Sequence, residues 1–219
     1  MTAASVGSYQ WRFDSGRICL DLVATAPDAD RHTDGPEPFA DPKGLAHWLA
    51  AAGLLPADPR PADTGLFGTR PAPVDGTWVA GFVELRDCID RLVRGGPQGA
   101  RAEQALAILN SRAQGAPPGI RAVRDEDGGL VRALCSAPEC SALLAVVARD
   151  AVDLLTDPVA RSRLRQCEGD NCRRVYLDTS RGRRRRWCSS EVCGNRERVA
   201  RHRRKASVKD LEVSSAGVE

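Results

Sequence analysis

The sequence predicts an α+β protein: a mainly helical N-terminal domain with a small sheet, followed by a small C-terminal unit of one hairpin and one helix. Apolar residues recur at helical spacing through most of the first 160 residues. Two short segments have turn-forming residues at their centres, as in hairpins. Four of the eight cysteines form two pairs between residues 167 and 193. A chain of 219 residues with 42% hydrophobic residues can supply one ordinary domain and one small unit.

Basic residues are concentrated towards the C-terminal end. Residues 161–209 contain 15 Arg and 2 Lys against five acidic residues, a net charge of +12. Because the whole chain has a net charge of +3, the other residues carry −9. This asymmetry predicts a polyanionic partner, and a solvated basic face without a partner is the alternative.

The chain shows no targeting or membrane-spanning pattern. The first residues lack a basic start followed by an apolar run, and no apolar stretch approaches the ~20 residues needed to cross a bilayer. We therefore expect a cytoplasmic protein with no membrane partner. Thiols stay reduced in the cytoplasm, so grouped cysteines favour metal binding over disulfides.

The first part of the chain is predicted to contain a strand, a helix and an irregular connection. Residues 18–25 (ICLDLVAT) are mostly apolar and predict a strand inside a sheet, interrupted by Asp21. Residues 41–55 predict a helix with Asp41 as N-cap and Pro42 in its first turn. Residues 56–76, rich in Pro, Gly and Asp, predict an irregular connection.

Two helices and a hairpin are expected next. A helix that ends near residues 94–99 would have its apolar residues on one face, namely Phe82, Leu85, Ile89 and Leu92. Another helix is expected over residues 100–112, with Leu106 and Leu109 directed inward. Residues 119–135 predict a hairpin that turns at DEDGG (125–129).

A long helix is expected to begin at SAPEC (136–140) and to run to residues 156–158. Ser136 and Glu139 have the spacing of a capping box. The apolar face would consist of Leu143, Leu144, Val147 and Leu154. Cys135 and Cys140 flank this start at C-x4-C spacing without a second pair nearby, so we expect both to be buried as small apolar residues, as are Cys19 and Cys88.

The C-terminal cysteines form two matched pairs, Cys167-x4-Cys172 and Cys188-x4-Cys193, separated by 15 residues. Four thiolates suit a closed tetrahedral Zn²⁺ site. The turn-forming EGDN (168–171) predicts a hairpin that presents the first pair at its tip. Ser189 or Ser190 would start a helix whose N-terminus holds the second pair, where the helix dipole favours thiolate charge.

A hairpin and a helix around one metal ion make a treble-clef-like zinc finger. Four sulfur ligands leave no coordination position for water, so we predict one structural zinc per chain. The unit is too small to bury a sufficient core, and the metal would supply its folding free energy. We expect this core to be separate from that of the N-terminal domain.

The arginines are predicted to form a nucleic-acid-binding surface displayed by this scaffold, because planar guanidinium groups bind phosphates and read guanine edges. The candidates in the loop before Cys188 are Arg183, Arg184, Arg185 and Arg186, and those on the presumed helix are Arg196, Arg198, Arg201, Arg203 and Arg204. Tyr176 and Trp187 could stack on bases, but we expect them to pack the finger's core.

These motifs resemble a known family. CGNR at Cys193–Arg196, the preceding RRRRWC and the paired C-x4-C are similar to the C-terminal CGNR zinc finger. Upstream, GRICLDLVAT, GLAHWLAAAGLL and LLTDPVARSRLRQC resemble the ABATE domain of stress-induced transcriptional regulators. The resemblance implies zinc ligation by the four paired cysteines and nucleic-acid binding by the finger. It also implies that Gly194 permits close helix packing and that Asn195 and Arg196 form a polar motif.

We therefore expect a DNA-binding transcription regulator. DNA is preferred to RNA because a helix displaying arginines suits the major groove. Residues 1–160 would be a sensor of a small-molecule effector or a dimerisation unit, residues 161–209 the finger and residues 210–219 a flexible tail. Arg17 and Asp21 are candidate ligand-binding residues, although backbone N–H groups could equally satisfy Asp21.

Two other classes of function are alternatives. One is a protein-interaction module whose arginines bind an acidic surface. The other is an enzyme with its active site in the N-terminal domain. The sequence has no phosphate-binding glycine loop, no Ser/His/Asp or Cys/His constellation and no HExxH motif, so we do not expect an enzyme.

Overall fold

The computed structural model describes residues 11–27, 37–55, 74–96, 98–125, 127–170 and 172–215, with side chains up to residue 204. The predicted irregular connection thus lies outside the described residues except at its end. In the described part of the chain, no helix combines the length and apolar character that crossing a membrane requires.

The N-terminal domain is a helical bundle, as the sequence predicts. Its helices are α1 (Ile18–Val23), α2 (Pro42–Ala51), α3 (Gly76–Gly95), α4 (Ala100–Ala113) and α5 (Cys140–Thr156). α3, α4 and α5 pack against one another, α1 lies against α3 and α5, and α2 packs on α3. The predicted apolar faces of α3 and α5 are buried in this core, whereas Leu106 of α4 is only partly buried beside the fully buried Leu109.

The sequence predicts side-chain caps at the starts of two helices, and the structure contains one of them. The Asp41 carboxylate accepts a hydrogen bond of 2.9 Å from the N–H of Gly44 at the start of α2, which confirms the predicted N-cap. The predicted capping box of α5 is wrong, because the helix begins at Cys140 and its N-cap Glu139 makes no side-chain cap. A start at Ser136 would require Ala137 to be helical immediately before Pro138, which the proline ring disfavours.

Residues 18–23 form helix α1 and not the predicted strand. A continuous apolar run cannot distinguish a buried strand from a buried helix. The distinguishing contact comes from far along the chain: the Asp150 carboxylate of α5 accepts a hydrogen bond of 3.0 Å from the N–H of Cys19 in the first turn of α1. α5 therefore caps α1, and all residues from Cys19 to Val23 are buried.

The predicted hairpin is present as β1 (Ile120–Arg124) and β2 (Leu130–Leu134), paired antiparallel from Ile120↔Leu134 to Arg124↔Leu130. It leaves large apolar side chains exposed, including Ile120, Leu130 and Val131. Cys135 follows β2 and is exposed, so its expected burial is wrong, whereas Cys19 and Cys88 are buried as predicted.

The C-terminal unit begins with α6 (Pro158–Ser162) and continues with β3 (Leu164–Gln166), β4 (Val175–Leu177) and α7 (Cys193–Ser215). β3 and β4 pair antiparallel, which confirms the predicted hairpin and the α+β class. α7 continues through residues 210–215, so this part of the predicted flexible tail is helical.

Strand β4 joins the two parts of the protein. Val175 is buried in the core of the helical bundle, and Leu177 packs against the same core. Tyr176 points the other way and is buried among the four paired cysteines. Because successive strand residues face opposite sides, one strand contributes to both cores. The two cores are separate clusters, as predicted, but β4 links them.

Candidate metal centre and arginine surface

The four paired cysteines meet in one buried cluster. The sulfur atoms of Cys167, Cys172, Cys188 and Cys193 all lie within 4.8 Å of one another. The Cys172–Cys188 sulfur distance is 3.8 Å and the Cys188–Cys193 distance is 3.5 Å. A tetrahedral zinc with bonds of ~2.3 Å places its sulfur ligands about 3.8 Å apart. The donor set and spacing thus fit a zinc ion.

Backbone hydrogen bonds shape the loop that carries the first pair. The N–H of Cys167 donates to the carbonyl of Arg174 at 2.9 Å, and the N–H of Cys172 donates to the carbonyl of Gly169 at 3.0 Å. A Cβ on Gly169 would lie 3.5–3.6 Å from atoms of Cys172, Cys167 and Cys193, so the loop passes directly over the cluster. The N–H of Cys188 donates to the Cys167 sulfur at 3.3 Å, which favours thiolate charge there.

The second pair leads into α7, which begins at Cys193. Of the two predicted starting serines, Ser189 accepts a hydrogen bond from the N–H of Val192 at 3.2 Å through its hydroxyl and one from the N–H of Gly194 at 2.9 Å through its carbonyl. A Cβ on Gly194 would stand 3.4 Å from the Trp187 ring. Trp187 therefore lies directly against the helix start, in agreement with the expected close packing.

The thiols influence one another's ionisation. Hydrogen bonds from Cys172, Cys188 and Cys193 hold the pKa of Cys167 well below its usual value. The pKa of Cys172 is raised, because its proton is held by a hydrogen bond to Cys167. Cys167 thus forms a thiolate easily, whereas Cys172 and Cys193, whose pKa values are raised, need a cation nearby before they ionise.

Tyr176 and Trp187 pack the small finger core, as predicted. Tyr176 is fully buried among the cysteines, and Trp187 is partly buried against them. The Tyr176 hydroxyl donates a hydrogen bond of 2.5 Å to the carbonyl of Arg185. This bond attaches the segment between β4 and Cys188 to the finger core.

That segment contains the arginine loop, residues 181–186, which Asp178 organises. The buried Asp178 carboxylate accepts hydrogen bonds from the N–H of Ser180 at 2.9 Å, its hydroxyl at 2.6 Å and the N–H of Arg185 at 3.1 Å. The Ser180 bonds, followed by the Arg185 bond, lower the pKa of Asp178, so it stays ionised. Arg183 has a φ of 50°, a turn conformation that this anchoring stabilises.

The loop arginines have different environments. Arg183 and Arg184 are exposed, and within the described residues neither makes an ion pair or side-chain hydrogen bond. Arg186 is exposed and pairs with Glu168 at 2.5 Å. Arg185 is turned inward: it lies over the Tyr176 ring at 4.6 Å and donates to the carbonyls of Trp187 and Cys188. Its guanidinium therefore serves the finger's structure.

The predicted residues of α7 all lie at the surface. Asn195, Arg196, Arg198, Arg201, Arg203 and Arg204 are exposed. Arg204 pairs with Glu197 at 2.8 Å, and Arg198 donates to the carbonyl of Gly194 at 3.3 Å. A groove of about 650 Å³ lies between the loop at Gly169 and Asp170 and this helix. On the helix side the groove is lined by Asn195, Arg196, Val199 and Arg203.

Two protein-family models match this chain. The ABATE model, described as "Putative stress-induced transcription regulator", matches residues 16–158, more than half of the chain. The chain belongs to the ABATE family. A second model, the CGNR zinc finger, matches residues 163–206 and contains all four clustered cysteines. Comparison with curated proteins finds no significant match.

Within the ABATE domain, the candidate ligand residues Arg17 and Asp21 have intramolecular partners. Arg17 pairs with Asp150 at 2.9 Å and donates to its carbonyl at 2.9 Å. Asp21 accepts a hydrogen bond of 3.0 Å from the N–H of Ser15, which is the structural role considered as the alternative. Burial raises the pKa of Asp21 to about 6, although the hydrogen bond from Ser15 acts to lower it.

A segment just before the matched ABATE residues also reaches the finger, and sequence reasoning missed it. Arg12 donates to the Cys188 sulfur at 3.5 Å and forms an ion pair with Asp14 at 2.5 Å. Asp14 also pairs with Arg174 of the finger at 3.3 Å. The carbonyl of Ser15 accepts a hydrogen bond of 2.8 Å from the N–H of Leu177. The partners in the finger lie 160–176 residues away in the chain, so no local pattern could have indicated them.

Proposed function

We propose that the four clustered cysteines hold one structural zinc ion per chain and that the finger they build binds nucleic acid. The buried all-sulfur donor set and the family of the finger support zinc. A zinc with four thiolate ligands supplies rigidity and not a site for water or substrate. The proposed role of the centre is therefore to fix the arginine loop and the start of α7.

The observation that carries nucleic-acid binding is the pair of exposed arginines, Arg183 and Arg184, on a loop anchored at both ends. Asp178 fixes the loop from one side, and Tyr176 fixes it through the Arg185 carbonyl. Exposed guanidinium groups on an ordered loop can contact phosphates with little loss of conformational entropy. We propose duplex DNA as the ligand, with RNA as the alternative.

α7 would contribute the remaining contacts. Its exposed arginines extend the positive charge from the zinc centre, and Asn195, Arg196 and Val199 line the groove at its N-terminal end. Asparagine and arginine side chains can pair with adenine and guanine edges in a major groove. In this proposal the arginine loop positions the finger on phosphates and the start of α7 contacts bases.

Salt-dependent binding tests this proposal. We expect Arg183→Ala/Arg184→Ala to lower the slope of log K against log salt by about 1.8, because each phosphate contact contributes about 0.9. The matched control is Arg101→Ala/Arg121→Ala, which removes two exposed arginines from the ABATE domain and should leave the slope unchanged. Fluorescence anisotropy with duplex DNA, single-stranded DNA and duplex RNA measures both affinity and ligand preference.

An equal loss of slope in both double variants would assign binding to net charge and not to the loop. Zinc content and circular dichroism of each variant show whether the finger is intact. If neither DNA nor RNA binds while an acidic protein surface does, the protein-interaction alternative replaces this proposal.

We also propose that the ABATE domain regulates the finger, as a sensor or a dimerisation unit. Direct contacts between the two parts, such as the burial of Val175 from the finger in the bundle core, give a physical route for this coupling. An effector at Arg17 or Asp21 would have to displace Asp150 or the Ser15 N–H from them. Sedimentation and metabolite thermal-shift screens test the two roles, and coupling requires that any hit change DNA affinity.

A further inference from the structure

The zinc centre proposed above has a cationic neighbour from outside the finger. The Arg12 guanidinium lies 3.5 Å from the Cys188 sulfur, and its side chain is only 18% exposed. Asp14 holds Arg12 from the other side through Nε at 3.0 Å and through Nη2. The planar guanidinium fork allows one arginine to engage both a carboxylate and a sulfur atom.

Four thiolates around one Zn²⁺ leave a net charge of −2 in a buried site. Within the finger, the N–H of Cys188 already donates to the Cys167 sulfur. Arg12 brings a full positive charge to a sulfur of this cluster. An outer residue that hydrogen-bonds a metal-ligating atom orients that ligand and strengthens metal binding.

The Arg12 contact is part of a larger seam between residues 12–16 and the finger. The Asp14 carboxylate pairs with Arg174, and the Asp14 backbone carbonyl accepts a hydrogen bond from the Arg185 guanidinium at 3.3 Å. The Ser15 carbonyl accepts a hydrogen bond from the N–H of Leu177. A Cβ on Gly16 would stand 3.4 Å from the Leu177 Cβ. The seam places Arg12 on the cluster and keeps it there.

We propose that Arg12 is a positioning residue of the metal centre, so that the finger holds zinc at full affinity only when residues 12–16 are docked on it. Arg12 and Asp14 lie outside the residues that either family model matches. The inference rests on the proposed zinc but not on nucleic-acid binding.

Zinc transfer from the 219-residue protein to excess chromophoric chelator tests this role. We expect Arg12→Ala to raise the rate of zinc release and to lower zinc affinity by about 10- to 100-fold, the usual effect of losing a partner of a metal ligand. Arg12→Lys keeps the charge without the fork and should be intermediate. The matched control is Arg112→Ala, which removes an arginine that pairs with Glu84 of α3, and it should match the wild type.

Two further measurements separate the sulfur contact from simple docking. Arg174→Gln breaks the seam's other ion pair without touching a sulfur, and we expect it to release zinc more slowly than Arg12→Ala. In the Co²⁺-substituted protein, Arg12→Ala should shift the sulfur-to-cobalt charge-transfer band to lower energy, whereas Arg174→Gln should not.

Each outcome decides the proposal. Wild-type release rates in Arg12→Ala, or equal effects in Arg12→Ala and Arg174→Gln with an unshifted cobalt band, would overturn it. A wild-type protein without zinc would overturn the zinc centre itself, whereas zinc binding without DNA binding would leave the Arg12 inference standing.

Discussion

Neighbouring residues of the finger have different surroundings despite their similar chemistry. Arg184 is exposed, whereas the adjacent Arg185 lies over Tyr176 and donates into the finger. Asp178 causes this difference, because it binds the Arg185 N–H and so fixes the backbone direction at that position. A run of four arginines predicts positive charge but cannot indicate which member is turned inward.

Asp21 gives a pH-dependent prediction. Burial raises its pKa to about 6, Ser15 and Arg174 oppose this shift, and the Asp14 charge adds to it. The folded protein therefore holds this proton more tightly than the unfolded chain. The stability from protonation is complete below about pH 4 and is lost as the pH rises through 6.

We expect Asp21→Asn to be more stable than the wild type at pH 7.5, by roughly 1–3 kcal/mol, with the difference closing towards pH 4. Urea unfolding of zinc-loaded protein at several pH values measures it. The exposed Asp153→Asn in α5 is the control and should show no such trend. A difference between Asp21→Asn and wild type that does not depend on pH would contradict the prediction.

At the scale of elements, β4 is the strand that two cores share. Its three residues alternate between the helical bundle and the cysteine cluster, so adjacent substitutions should have different consequences. Val175→Ala should lower the stability of the helical bundle by about 1–3 kcal/mol through lost packing. Tyr176→Phe should loosen the arginine loop through the lost bond to the Arg185 carbonyl, with a cost of about 1 kcal/mol.

Trp48 and Trp78 lie in the bundle core and report its unfolding by fluorescence once Trp187 of the finger is replaced by Phe, while chelator transfer reports the finger. We expect Val175→Ala to affect the first measurement and Tyr176→Phe mainly the second. A Val175→Ala protein that loses zinc but keeps an unchanged bundle would contradict the assignment of this side chain.

Elements defined by local patterns could be predicted from the sequence. The apolar faces of α3 and α5, the Asp41 cap and the DEDGG hairpin depend on residues within a few positions of one another. α1 could not be predicted, because its cap is Asp150, more than 100 residues away. The four cysteines were predictable from spacing, whereas Arg12 and Asp14 depend on tertiary contacts alone.

At the scale of the molecule, the ABATE domain and the finger are coupled through β4 and through the seam at residues 12–16. Removing the metal should therefore affect both parts, because the finger can no longer support these contacts. We expect chelation to lower the unfolding temperature of the bundle by several degrees, since 1 kcal/mol corresponds to about 2–4 °C in a chain of this size.

Differential scanning calorimetry with and without chelator, read beside tryptophan fluorescence, measures this coupling. Cys172→Ser should reproduce the effect of the chelator, and adding zinc back should reverse the change only in the wild type. A bundle transition that is identical in the zinc-loaded and zinc-free states would show two independent domains.

Because β4 contributes to both cores, it also affects whether the finger can be transferred to another protein. If the finger alone were fused to an unrelated domain, Val175 and Leu177 would face solvent. The Arg12 guanidinium beside Cys188 would also be missing. A chimaera would have to bring a complementary apolar surface and a substitute for residues 12–16. The two halves of this protein are therefore expected to be inherited together, and a transplanted finger should require new neighbours before it folds.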